Sequence, residues 1–272
     1  MTKEELYKNI KSKKSYLCVG LDSDINKIPK HLLKYKDPVF EFNKRVIDAT
    51  SDYAIAYKPN LAFYECLGSK GFESLRRTIN YIPNNIFKIA DAKRGDIGNT
   101  SEMYAKTFFE TFKFDAVTLS PYMGYDSVKP YLKYKGKWVI LLVLTSNEGS
   151  NDFQQLNIAS NKLYEVVLKK SLEWSDENKM MYVVGANREK DIVNIRRLVP
   201  NHFLLIPGIG SQGGSLKNIS KLGFSDDCGV LVNSSRNIIY ADSSSDFEKK
   251  TAIQAKSIKI EMEILLEKNN LL

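Results

Sequence analysis

The sequence predicts an α/β protein built as a single (β/α)8 TIM barrel, with its active site at the C-terminal rim of the strands. Three observations predict it. Eight apolar runs rich in β-branched and aromatic residues begin about every 30 residues, the length of one βα unit. Segments with helical spacing of apolar residues separate them. Run after run ends in a polar or charged residue, and that end of a barrel is where active sites are built.

The runs are Tyr16 to Asp22, Tyr53 to Pro59, Ile86 to Lys93, Ala116 to Tyr122, Trp138 to Ser146, Met181 to Asn187, His202 to Gly208 and Cys228 to Ser235. They are apolar throughout rather than alternating, as expected of parallel strands covered on both faces. Helical spacing shows in Val39, Phe42 and Val46 of the first gap, Met103, Phe108 and Phe112 of the third, and Leu163, Val166 and Val167 of the fifth. The whole chain, 1–272, reads as one domain, with the barrel core about 16–240 and a lysine-rich C-terminal helix about 243–269. An open doubly wound sheet is the alternative. The strand ends Asp22, Lys58, Asp91 with Lys93, Ser120, Ser146, Asn187 and Ser235 with Arg236 favour the barrel, since charges ending apolar strands are costly unless paired or used.

Composition narrows the function. With 43% hydrophobic and 26% charged residues in 272, the chain is an ordinary globular protein. The first fifteen residues carry five lysines and no continuous apolar stretch, so neither a signal peptide nor a membrane span is expected, and the location expected is cytoplasmic. Cys18, Cys66 and Cys228 lie far apart, which argues against disulfides and zinc. Two histidines, His31 and His202, leave little for a nucleophilic triad or a histidine metal site, so acid–base work falls to Lys, Asp or Glu. A net charge of +8 without interleaved basic and aromatic residues argues for a solvated surface or an anionic small substrate over nucleic acid.

Two motifs carry chemistry. The first is Asp91-Ala92-Lys93-Arg94-Gly95-Asp96-Ile97-Gly98-Asn99-Thr100, at the end of the third strand. Side chains two apart share a strand face, so Asp91 and Lys93 are expected to point inward at one depth, while Gly95 and Gly98 free Asp96 from that parity. Flanking carboxylates keep a lysine protonated, and so an acid. A helix cap from Asn99, Thr100 or Ser101 is expected next. Spacing alone would fit a surface salt-bridge cluster; the strand-end position argues for function. The second motif, Pro207-Gly208-Ile209-Gly210-Ser211-Gln212-Gly213-Gly214, follows the seventh strand and opens a helix from Ser215. It contains G-x-G-x-x-G, but the next strand ends Asn233-Ser234-Ser235-Arg236 with no acidic residue to hold a ribose. What remains is phosphate binding: backbone N–H groups at a helix start, with Arg236 in the following loop.

The first motif closely resembles the signature of orotidine 5'-phosphate decarboxylases, in the subgroup with Lys-Arg-Gly at its centre. Leu17-Cys-Val-Gly-Leu-Asp22, Tyr57-Lys58-Pro59-Asn60, Ser120-Pro-Tyr-Met-Gly124, Thr145-Ser146-Asn147, Pro207-Gly-Ile-Gly210 and Ser235-Arg236 fall in the family's order, across about 16–240. The resemblance implies cofactor-independent and metal-free decarboxylation of orotidine 5'-phosphate to uridine 5'-phosphate, the last step of pyrimidine nucleotide synthesis. It implies that Lys93 donates the proton to C6, that Asp91 lies beside the departing carboxylate, that Lys58 joins the charge network and that Asp22 holds a ribose hydroxyl. Asp96 and Thr100 would come from the other subunit of a homodimer with shared active sites. Ser146 would meet the pyrimidine amide edge; Arg236, next to Ser235, and the backbone of Gly210, Gly213 and Gly214 would bind phosphate, with Gln212 closing over it. From the residues alone, three alternatives stay open: a Schiff-base lyase using Lys58 or Lys93, a magnesium-dependent barrel on the same frame, and a nucleic-acid-binding protein.

Overall fold

Eight parallel strands close on themselves in the computed structural model, which describes residues 1–209 and 214–272. In chain order they are Leu17–Leu21, Ala54–Pro59, Phe87–Arg94, Ala116–Leu119, Trp138–Leu144, Met180–Val184, Leu204–Pro207 and Val230–Ser234. Each matches one apolar run of the sequence, and each hydrogen-bonds to its sequence neighbour, with Leu17 registered on both Ala54 and Val232 to close the ring. The closed order excludes the open doubly wound sheet. Nearly every strand residue is buried, because one face fills the barrel and the other is roofed by helices.

The helix after the first strand, Pro38–Thr50, shows how the local sequence sets an element. Asp37 caps it by accepting from Phe40 N (3.0 Å), Pro38 occupies the first turn, and Val39, Phe42 and Val46 are buried as their spacing predicts. The third gap holds Gly98–Lys106 and a π-turn over Thr107–Thr111. There Phe108 and Phe112 are buried, but Met103 is exposed: the π-turn shifts the phase, so the face through Ser101 and Ala105 turns inward instead. In the fifth gap the helix Leu163–Ser171 buries Tyr164, Leu168 and Ser171, one step round from the expected Leu163, Val166 and Val167, which are half-buried. An apolar stripe wider than the contact leaves that phase undetermined by sequence. The same gap carries an antiparallel pair, Asn157–Ile158 with Asn161–Lys162, that the apolar pattern does not reveal because three of its four residues are polar and none is buried.

Both ends of the chain are helical. Lys3–Lys13, unassigned from sequence, is nucleated by a capping box between Thr2 and Glu5 and buries only Leu6 and Ile10, too few apolar residues to stand out. It lies across the N-terminal ends of the strands: Lys13 Nζ donates to Ser51 O and Ala54 O, and Trp138 Nε1 donates to Met1 O. At the other end Phe247–Lys268 packs on Pro38–Thr50 through Phe247 and Phe42, whose ring centroids lie 5.5 Å apart. Among the described residues no helix is long and apolar enough to cross a membrane. With the N-terminal mouth covered, the opposite rim is left for chemistry.

Candidate active site

At that rim the third strand departs from regular pairing. Ala90 is registered on Val117 but Arg94 on Leu119, so four residues of the third strand span two of the fourth. The bulge contains Asp91 and Lys93, and Lys93 has φ +48°, a left-handed backbone unfavourable to a residue with a β carbon. Thr118 Oγ1 holds the bulge from below, accepting from Lys93 N (2.9 Å) and donating to Asp91 Oδ1 (3.1 Å).

The bulge corrects the parity expectation. Asp91 and Lys93 do meet, but not at one depth: the Asp91 side chain is 10% exposed and that of Lys93 49%. Lys93 Nζ lies 2.6 Å from Asp91 Oδ1, and buried Lys58 Nζ, from the second strand, lies 2.7 Å from Asp91 Oδ2. One carboxylate is thus clamped between two ammonium groups. Burial on its own pushes the Asp91 carboxyl upward, but Lys58 and Lys93 outweigh it and hold the group well below the usual carboxylate range. For Lys58 burial favours the neutral amine, yet Asp91 and Asp22 outweigh burial and raise its affinity for the proton. Within this array the Lys58–Asp91 pair stays charged at neutral pH although both side chains are nearly buried.

Above it opens a cavity of about 320 Å³, lined by Lys58, Asp91, Lys93 and Thr118 on one side, Thr145, Ser146 and Asn147 on another, with Leu142, Val183, Leu205 and Pro207 between. Ser146 is held in place by its surroundings. Asn187 Nδ2 donates to its carbonyl (2.9 Å), Gln154 Oε1 accepts from Thr145 N (2.7 Å), and Gly185 has no β carbon where one would stand 2.8 Å from Ser146 N. A larger cavity, about 970 Å³, is lined by Asp37, Leu67 and Arg77 among others, and by none of Lys58, Asp91 and Lys93.

The remaining expected residues divide. Asp22, just past the first strand, is half-buried with Oδ1 unpaired in the interior, and it is near enough to Lys58 to bias its protonation. Ser235 Oγ accepts from Asn233 Nδ2 (3.1 Å) and sits 1.8 Å from where a β carbon on Gly20 would stand, so Gly20 gives Ser235 its place. Arg236 begins the short helix Arg236–Ile239 at the same rim. Gly214, bridged to Ile209, packs against Ala186, where a β carbon would come within 2.4 Å of the alanine's own. Gly210, Gln212 and Gly213 lie outside the described residues. The helix beyond them starts at Leu216 with Ser215 as its cap.

Asp96 and Thr100 are not brought to the array. Asp96 Oδ1 accepts from Ile97 N (2.8 Å), and Thr100 lies exposed in the first turn of Gly98–Lys106. That helix takes Ile97 as its cap with no side-chain bond, and Ser101 Oγ donates to Ser127 O instead, so no cap comes from Asn99, Thr100 or Ser101. Left-handed Gly98 (φ +56°) sets the helix start one turn early. Sequence reasoning missed Thr118, the bracket of the bulge. Its signal was a lone hydroxyl in an apolar run, two residues before Ser120 and on the same strand face. Among the described residues no cluster of His, Cys, Asp and Glu is arranged to hold a metal ion.

Residues 15–247 match the model of the orotidine 5'-phosphate decarboxylase / HUMPS family. The orotidine 5'-phosphate decarboxylase of Bacteroides fragilis is 58% identical over 266 residues, covering 96% of this chain and 97% of its own length. That of Flavobacterium johnsoniae is 54% identical over 270 residues, covering 98% and 99%. Among solved structures, the OMP decarboxylase of Leishmania donovani superposes with a TM-score of 0.80 at 36% identity, over 96% of this chain and 99% of that one.

Proposed function

Since this chain belongs to the orotidine 5'-phosphate decarboxylase / HUMPS family, we propose that the Lys58–Asp91–Lys93 array is its catalytic apparatus. The enzyme decarboxylates orotidine 5'-phosphate to uridine 5'-phosphate in pyrimidine nucleotide synthesis. Loss of CO2 breaks the C6–carboxylate bond and leaves its electron pair on C6, where the ring delocalises it poorly. A fixed cation beside C6 lowers the energy of that pair, and proton transfer from the same cation completes the reaction. Lys93 suits both tasks: its ammonium stands at the cavity edge, 2.6 Å from the buried Asp91 carboxylate.

The observation that carries the reading is the carboxylate held between two lysines beneath the cavity. Asp91 stays anionic there, so a substrate carboxylate seated about 4 Å away meets a repulsion of about 4 kcal/mol at an effective dielectric near 20, relieved as CO2 departs. Ser146 on the opposite wall serves the pyrimidine amide edge, and Asp22, with its interior oxygen unpaired, a ribose hydroxyl. Arg236 and the backbone through Gly214 serve the phosphate, with Ser235 beside them; Gly210, Gln212 and Gly213 complete that assignment from sequence. Phosphate contacts far from C6 supply binding energy that seats the carboxylate against Asp91.

We further propose a homodimer in which Asp96 and Thr100 reach the other subunit's cavity. Beside them Ile97, Met103, Tyr122 and Met123 present exposed apolar side chains, Tyr122 at 86%, a grouping that suits burial against a second copy. A cytoplasmic setting and catalysis without metal or cofactor complete the proposal. The test is loss of orotate-ring absorbance when enzyme meets orotidine 5'-phosphate with chelator present. Lys93→Ala should remove nearly all of that activity while the barrel stays folded; activity within tenfold of wild type would sink the assignment of Lys93.

A further inference from the structure

The geometry points to Arg94, paired with Glu65, as a positioning residue that fixes the ammonium of Lys93 by closing the bulge in which Lys93 sits. This rests on the reading of Lys93 as proton donor. A left-handed lysine holds its place only where its surroundings over-determine it. Thr118 secures the amide side of Lys93. The carbonyl side runs into Arg94, whose own carbonyl accepts from Ser120 N (2.8 Å) just past the end of the fourth strand. The Arg94 side chain folds back over the bulge: Nη1 donates to Ala92 O (2.9 Å), and Nη2 pairs with Glu65.

Glu65 ends the short helix Ala62–Glu65 that follows the Lys58 strand, and Leu61 N in the same segment donates to Asp91 O (3.2 Å). The pair therefore ties the segment after Lys58 to the segment carrying Asp91 and Lys93. The guanidinium lies 5.4 Å from the Tyr104 ring centroid and 5.8 Å from that of Phe108, and both rings belong to the next helical segment. A planar fork can reach a backbone carbonyl and a carboxylate while facing two rings; a lysine ammonium cannot serve all of these at once. Arg94 does not line the cavity, so its effect reaches the reaction only through Lys93 and Asp91.

Steady-state kinetics on Arg94→Met, Arg94→Lys and Glu65→Gln, with uridine 5'-phosphate affinity measured on each, test the proposal. Misplacing a general acid by about 1 Å costs on the order of 100-fold, so kcat of Arg94→Met is expected to fall about 10- to 100-fold. KM and uridine 5'-phosphate affinity should stay within about threefold, because the nucleotide contacts lie elsewhere. Arg94→Lys should recover part of kcat, and Glu65→Gln should lower it by less than Arg94→Met does. If Arg94→Met does not fold, the other two variants carry the same comparison. A kcat within twofold of wild type in all folded variants, or product affinity falling in step with kcat, overturns the proposal. Lys93→Ala run alongside separates the two readings: if it stays active the donor assignment fails, whereas an inactive Lys93→Ala beside near-normal Arg94 variants overturns the clamp alone.

Discussion

Asp91→Asn isolates the electrostatics of the array from its chemistry. In the wild type Asp91 titrates well below its ordinary value, so its stabilising charge is present above about pH 4 and is lost only as pH falls through the lowered folded value. Lys58 titrates above its ordinary value, so its contribution is present below about pH 10 and is lost as pH rises through the raised folded value. Between those limits the pair adds no pH dependence. Asparagine leaves Lys58 as a buried cation whose carboxylate partner is gone, which costs about 3–5 kcal/mol. Burial is the largest influence on Lys58, and with Asp91 gone the largest influence left against it is Asp22, so the Lys58 titration falls below its ordinary value. The unfolded chain then binds more protons than the folded one between that lowered value and about pH 10, so stability of the variant rises with pH across that interval. Thermal melting at pH 6.5 and pH 9.5 reads this directly. At 2–4 °C per kcal/mol the variant should melt about 10 °C below wild type at the lower pH, and the gap should shrink at the higher. A gap of equal size at both pH values would refute the account, because the loss would then not arise from a stranded Lys58 charge.

Arg236→Ala should weaken nucleotide binding by about 1.5–3 kcal/mol while sparing the unphosphorylated nucleoside; equal losses for both would remove Arg236 from the phosphate site. Inactive Lys93→Ala and inactive Asp96→Ala, mixed under subunit exchange, should recover about a quarter of wild-type activity, since about half the dimers are mixed and each has one intact site of two. Verified exchange with no recovery would place Asp96 in its own subunit's site. Away from the rim, Arg196 donates to the carbonyls of Gly223, Val199, Pro200, His202 and Gly229, with burial lowering its guanidinium to about 10. Arg196→Lys has too few donors in the wrong geometry, and stranding two buried carbonyls should cost about 2–5 kcal/mol by urea unfolding with kinetics unchanged. Unchanged stability would show that these carbonyls are satisfied without Arg196.

What the sequence determined was the barrel and the residues at its rim. Eight apolar runs at the spacing of βα units specify strands buried on both faces, and the polar residue ending each run falls on the C-terminal side whatever the helices do between. For that reason Lys58, Asp91 and Ser146 could be expected at one mouth before any contact was known, and they line one cavity. The tertiary structure decided what depends on residues far apart in the chain. Parity placed Lys93 level with Asp91, but the bulge against the fourth strand turned its backbone left-handed and lifted its ammonium to the cavity edge. Thr118, which holds that bulge, lies 25 residues from Lys93 along the chain, and no spacing within the Asp91–Asp96 motif points to it. The phase of the Leu163–Ser171 helix and the N-terminal helix across the strand starts were settled in the same way, by the surface each meets. Periodicity constrains which face of an element can be buried; only packing fixes the angle and depth at which a given side chain arrives.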